Sequence, residues 1–220
     1  MVWFFISVAV FLGAHVIPGL LRNRIINLVG RRVYVVGFSL LSTALFAWVI
    51  HEVIVAESFW LWDFHPLQAK ALIIVMFPAC ILWASAILQP CPLSIGRQSG
   101  FDPQQPGINR FCRHPLLLGM FLWGIGHVIA NGDFIALVFF GGSAVFALIG
   151  FWRMEKIRLR DMSLAQRDAI LAGTRRFSPS GLLKGAIGWR DLVLGSVLYG
   201  LLLIGHGHVI GINPLEMADW

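Results

Sequence analysis

Three of the seven histidines share one local setting, a small residue before and Val-Ile after. They are His15 in AHVIPG (14–19), His127 in GHVIANG (126–132) and His208 in GHVIGIN (207–213). His51 and His206 also fall in apolar stretches, and His114 opens another. An ionisable side chain inside an apolar span is costly, so its presence points to function. Zinc would recruit Cys, Asp or Glu as well. Carboxylates there are few: Glu52 beside His51, and Asp191. A b-type haem suits the residue types better. It takes neutral imidazoles from facing helices and an apolar, aromatic slot, for which nine Trp and 17 Phe supply walls. The small neighbours Ala14, Gly126 and Gly207 let helices close on a flat ring.

Only helices immersed in lipid can position these groups. The 220-residue chain is 58% hydrophobic and 13% charged, with a mean hydropathy of +0.78. Soluble chains carry roughly a quarter charged residues. Apolar runs near the ~20 residues that span a bilayer recur throughout. The expected fold is all-α: one transmembrane domain over 1–220, a six-helix bundle with spans near 2–21, 34–54, 69–89, 115–130, 133–152 and 190–210. The N-terminus lacks a basic region and a cleavage site, so it reads as a retained first span. Asn131-Gly132-Asp133 is a tight turn by residue type, making the fourth and fifth spans a short hairpin.

Every Lys and Arg except Lys70 falls before the second span, between the third and fourth, or between the fifth and sixth. The positive-inside rule makes that side cytoplasmic. Both termini then face the periplasm of a bacterial inner membrane. The basic loop 153–189 carries a capping-box sequence, Ser163-Leu-Ala-Gln166, with Gly173 as a stop. Its basic residues suit the anionic bilayer surface, and they account for the pI of about 9.9 without nucleic acid. Cys80, Cys91 and Cys112 form no C-x-x-C pair and read as structural thiols.

Helical spacing groups Val8, Phe11 and His15 on one face, Gly37, Ala44, Ala47 and His51 on a second, and Met120, Trp123 and His127 on a third. His51 and His127 each lie within about 6 Å of the outer ends of their spans. Depth therefore pairs His51 with His127, while a tilted ring joins His15 to His127. His208, at the outer end of the last span, caps or hydrogen-bonds such a site.

The stretch NRFCRHPLLLGMFLWGIGHVIANGD (109–133) resembles the NnrU family, bacterial membrane proteins linked to denitrification and related to zeta-carotene isomerase. AHVIPGLLR and HVIGINPL also look like family motifs, so the resemblance spans essentially the whole chain. It implies a bis-histidine haem b held by His15 and His127, with His51 near a further family histidine. It also implies redox or isomerase chemistry on a lipophilic, polyene or quinone-like substrate in the bilayer. A non-enzymatic subunit of a larger membrane complex is the alternative. Arg113-His114-Pro115 through Gly119, with Arg153-Met-Glu155, is also similar to isoprenylcysteine and phospholipid methyltransferases. That similarity implies that Arg113, His114 and Glu155 contact S-adenosylmethionine. Only one Glu stands where those enzymes carry a pair, and Lys156 follows it.

Overall fold

The structure is a computed structural model that describes residues 1–160 and 162–219, without the side chains of 17–20. Among the described residues the regular structure is helical, and the chain divides into two compact units.

The first unit comprises residues 1–61 with 133–135. Its helices are α1 (Val2–Val29) and α2 (Arg31–Val55), separated by Gly30 alone. Gly30 has φ +83, a conformation that costs glycine little and other residues much. Two straight stretches of α1, Val2–Val16 and Leu21–Val29, meet at 72°. The pairing is antiparallel: Phe11 lies 5.9 Å from Phe46 (ring centroids), and His15 meets Ser42 and Phe38. The sequence suggests a basic loop over 22–33, but the helix runs on to Val29. Leu21, Ile25, Ile26 and Val29 continue a helical stripe through the arginines, so Arg22 and Arg24 stand on a helix. Residues 133–135 hook onto 58–60. Phe134 N–H donates to the Phe59 carbonyl, Ile135 N–H to Ser58 Oγ, and the Phe59 and Phe134 rings stack at 4.9 Å.

The second unit comprises residues 62–132 and 136–220. Its long helices are α3 (Pro66–Leu88), α4 (Pro115–Asn131), α5 (Phe134–Arg160, entering this unit at Ala136) and α8 (Trp189–Ile210). Between α5 and α8 come α6 (Leu164–Gly173) and the one-turn α7 (Ser180–Leu183), and α9 (Pro214–Met217) follows α8. The packing order is α8–α3–α4–α5, with α3 in the middle. Small residues make these approaches close, as in membrane helix pairs generally. A Cβ on Gly124 would lie 2.7 Å from the Phe140 carbonyl, and one on Gly119 would lie 2.9 Å from that of Ala79.

Four helices, α2, α3, α5 and α8, are long and apolar enough to cross a membrane, and the bent α1 makes five if it counts as one span. The fourth expected span, α4, has 17 residues and reaches only about 25 Å. The hairpin turn is as expected: Gly132 caps α4 with a left-handed φ of +68. The capping box on α6 is present, with Ser163 Oγ accepting from Gln166 N–H and Gln166 Oε1 from Ser163 N–H. The fifth span extends well past residue 152. Glu155 and Arg158 therefore stand on helix, not loop.

Gly195 seats α8 on α3: its Cβ would lie 2.8 Å from Ile81 Cα. Gly195→Val should lower stability by about 1–3 kcal/mol through overpacking, whereas Gly200→Ala, with nothing within 4 Å of the added Cβ, should be neutral or slightly stabilising. Thermal unfolding of the detergent-solubilised protein separates the two.

Candidate functional site

Two clusters lie at opposite ends of the second unit. The first gathers where α3 ends and α4 and α8 begin. Segments 109–113 and 174–178 run side by side, with Arg175 N–H donating to the Asn109 carbonyl, Arg113 N–H to Arg175 and Ser178 N–H to Phe111. Arg113 is 9% exposed. Its Nε donates to Thr174 Oγ1 (2.8 Å), Nη2 to the Thr174 carbonyl (3.2 Å) and Nη1 to Glu155 Oε1 (3.2 Å). Arg176 adds two further contacts to the same carboxylate. Its hydrogen bond to Glu155, and then the carboxylate charge, hold the Arg176 guanidinium above its ordinary pKa.

His114 is 1% exposed, and neither ring nitrogen has a hydrogen-bond partner. Its ring lies edge-on to Phe151 at 5.2 Å. Burial pulls its pKa down to about 4, against a smaller opposing pull from Glu155. Cys112 and Cys91 are fully buried. Burial raises their thiols to about 11 and about 12, so both stay protonated at neutral pH. A second node locks this end. Gln89 Nε2 donates to Asp191 Oδ2, its Oε1 accepts from Ile108 N–H (2.6 Å), and Asp191 caps α8 through Gly188 N–H (2.7 Å).

The second cluster lies at the far end of α4. His127 Nδ1 donates to the Trp123 carbonyl, four residues back, at 2.8 Å. A carbonyl only accepts, so the proton sits on Nδ1 and Nε2 keeps its lone pair. A π-helical turn, Leu137–Gly141, presents Phe139 and Phe140 to Trp123 at 5.9 and 5.0 Å, and Phe140 lies against His127 at 4.6 Å. Across from them His206 stands 6.5 Å from His127 between ring centroids, its Nδ1 donating to the Ile212 carbonyl at 2.7 Å. Leu72, Ile73, Met76, Tyr199, Leu203 and Pro214 help close a cavity of about 90 Å³.

His15, in the first unit, repeats the arrangement. Nδ1 donates to the Phe11 carbonyl at 2.7 Å, and Nε2 accepts from Ser42 Oγ at 3.0 Å, between Phe11 and Phe38. His51 is exposed on α2, nine residues or about 13 Å along the helix from Ser42. His208 is exposed on α8, and it is His206 that turns toward His127. The structure thus brings Trp123 to His127 and Arg113 beside His114. Periodicity is the sequence signal for His206: Tyr199, Leu202, Leu203 and His206 fall at i, i+3, i+4 and i+7. Arg113 and Glu155 bind each other rather than facing an open pocket, which gives S-adenosylmethionine no free ion pair there. Among the described residues no three His, Cys, Asp or Glu gather as a metal-ion site.

The long apolar helices define a multi-pass, all-helical membrane protein. The chain belongs to the NnrU family, whose model, described as NnrU protein, matches residues 3–214. No curated protein and no solved structure matches it.

Removing one partner of a buried pair costs about 3–5 kcal/mol. Arg113→Met should do so, and Arg113→Lys should rescue little because an ammonium cannot span Thr174 and Glu155; melting temperature and membrane yield report it. His114 has the opposite sign from a salt-bridged histidine. Its folded pKa lies below the ordinary 6.5, so the unfolded chain binds more protons between pH 6.5 and 4. Stability should be full above pH 6.5 and fall as pH drops toward 4, and His114→Leu should flatten that slope in thermal scans.

Proposed function

We propose that this protein binds haem b in the membrane through His127 and uses it on a lipophilic substrate. The tautomer of His127 carries the reading. An Nδ1–H tied to a backbone carbonyl fixes the ring and raises the basicity of Nε2, the second-shell arrangement of metal-ligating histidines. His15 has the same tie and is the second ligand that the family resemblance implies. The donor set suits haem better than a bare ion, because a macrocycle brings its own equatorial ligands and asks the protein only for axial imidazoles.

Space is the strictest part of the fit. Ligand-sized pockets run to roughly 300–1,000 Å³, and the cavity beside His127 holds about 90 Å³. Its lining includes Leu72, Met76 and Leu203, flexible side chains that can part, Met above all. Trp123 and Tyr199 supply flat walls, and Phe140 backs Trp123 and His127. Bound haem supplies redox chemistry at an iron whose potential the axial ligands and the dry surroundings set. The protein's own part is to exclude water, hold Nε2 unprotonated and admit an apolar substrate from lipid. Nothing charged lines this cavity to recognise a polar one.

Protein purified from a haem-replete host should give a reduced-minus-oxidised spectrum of low-spin b type. His127→Ala should abolish it and His15→Ala should weaken or abolish it. Colourless, well-folded wild-type protein from such a host rules the proposal out. A spectrum lost in His51→Ala but kept in His15→Ala moves the second ligand to His51.

A further inference from the structure

A cavity of about 310 Å³ opens between loop 103–110, the end of α6 and α7, at the Arg113 end of the second unit. Arg110, Arg175, Lys184, Ser178 and Ser180 line it, with no carboxylate. Among the described residues none of the three cations has an ion-pair partner. The guanidiniums are nevertheless fixed. Arg175 Nη1 donates to the carbonyls of Ala172 (3.0 Å) and Thr174 (2.9 Å), and Arg110 Nη1 to that of Lys184 (3.0 Å). Nε and Nη2 of each arginine, and the Lys184 ammonium, make no hydrogen bond among the described residues. Ser178 and Ser180 hydroxyls share one bond of 3.0 Å and retain further capacity.

The walls stand this close because two residues lack a side chain. A Cβ on Gly181 would run into the Arg110 carbonyl, and one on Gly173 would come within 3.0 Å of Pro103 Cα. Three positive charges held round one hollow repel one another unless an anion joins them. A carboxylate, with two oxygens, would answer one arginine. Three cations and two hydroxyls match the several oxygens of a phosphate, which guanidinium forks bind most favourably.

The geometry points to a phosphate-binding site in this cavity, for a phosphate-bearing headgroup of an anionic lipid or a soluble phosphate ester. The volume, at the lower end of ligand pockets, admits the phosphate with a small polar substituent. Basic pockets at the ends of membrane helices take anionic headgroups in this way. The site stands independently of haem, since it shares no lining residue with the cavity beside His127.

The test uses the full-length protein. Lys184→Gln removes a charge without removing a hydrogen bond, because only its backbone groups are engaged. Lys156→Gln removes the same charge from an exposed site that does not line the cavity. In nanodiscs of phosphatidylcholine with a minority of phosphatidylglycerol, native mass spectrometry counts retained anionic lipid. In detergent, inorganic phosphate is titrated against chloride at equal ionic strength, and melting temperature is read. Lys184→Gln should weaken binding roughly fivefold, the size of one half-exposed charge contact, Arg175→Gln/Lys184→Gln should weaken it further, and Lys156→Gln should leave it unchanged. Lipid retention without a phosphate shift supports the headgroup as source, and a phosphate shift without lipid retention supports a soluble ester. Neither response, or an equal loss in Lys156→Gln, overturns the site in favour of a diffuse positive surface.

Discussion

Arg113 carries a permanent charge into a place where 9% of it meets solvent, and the basic end of the second unit is arranged round that fact. A guanidinium cannot neutralise itself by losing a proton. Its donors must therefore be met by the protein, and two separate pieces of chain meet them. Glu155 comes from α5, Thr174 from the end of α6, and the Arg113 amide ties back to Arg175. Two residues later Pro115 starts α4, its missing N–H falling where a helix has no use for one. The clamp on Arg113 thus fixes where α4 begins. Within the Arg-His-Pro segment Arg113 pairs with Glu155, and His114 packs against Phe151.

The far end of α4 obeys a different constraint. In an apolar setting a histidine costs least when it is neutral and its N–H is bonded. His15, His127 and His206 all meet this by giving Nδ1–H to a backbone carbonyl, two of them to the residue four positions earlier. The same bond leaves the proton on Nδ1 and the lone pair on Nε2, which in His15 accepts from Ser42 Oγ. The aromatic residue one turn back, Phe11 or Trp123, supplies the accepting carbonyl and a wall beside the ring.

Local signals in the sequence were readable where a few adjacent residues decide the outcome. The Asn-Gly-Asp turn, the Ser163 capping box and the faces pairing Phe11 with His15 and Trp123 with His127 are of this kind. Boundaries were less so. Arginine content marks 22–33 and 153–160 as loop, yet α1 runs to Val29 and α5 to Arg160, and long basic side chains can reach water from a helix. The Gln89–Asp191 bond joins residues 102 apart in the chain, and Arg113–Thr174 joins residues 61 apart. No local pattern encodes such partners. His206 and His208 differ by two positions, which on a helix is over half a turn. Choosing between them needs the register of α8 on α3, and packing at Gly195 sets that register.

The two ends are connected through α4 itself. Gly119, Gly124 and Gly126 let α3 and α5 press on its backbone, so α4 has little freedom to slide or rotate between them. On the α5 side, the π turn at Leu137–Gly141 inserts an extra residue into a rung, and Ser143 Oγ donates to the Phe139 carbonyl it disturbs. The widened turn brings consecutive residues, Phe139 and Phe140, to the same indole, which a regular helix would point about 100° apart. A helix pinned by charge at one end and gripped by glycine contacts along its length delivers one imidazole to a fixed place. The side chains with room to move are the Leu and Met groups facing it. The His127 ring is thus held rigidly, while the side chains facing it can yield.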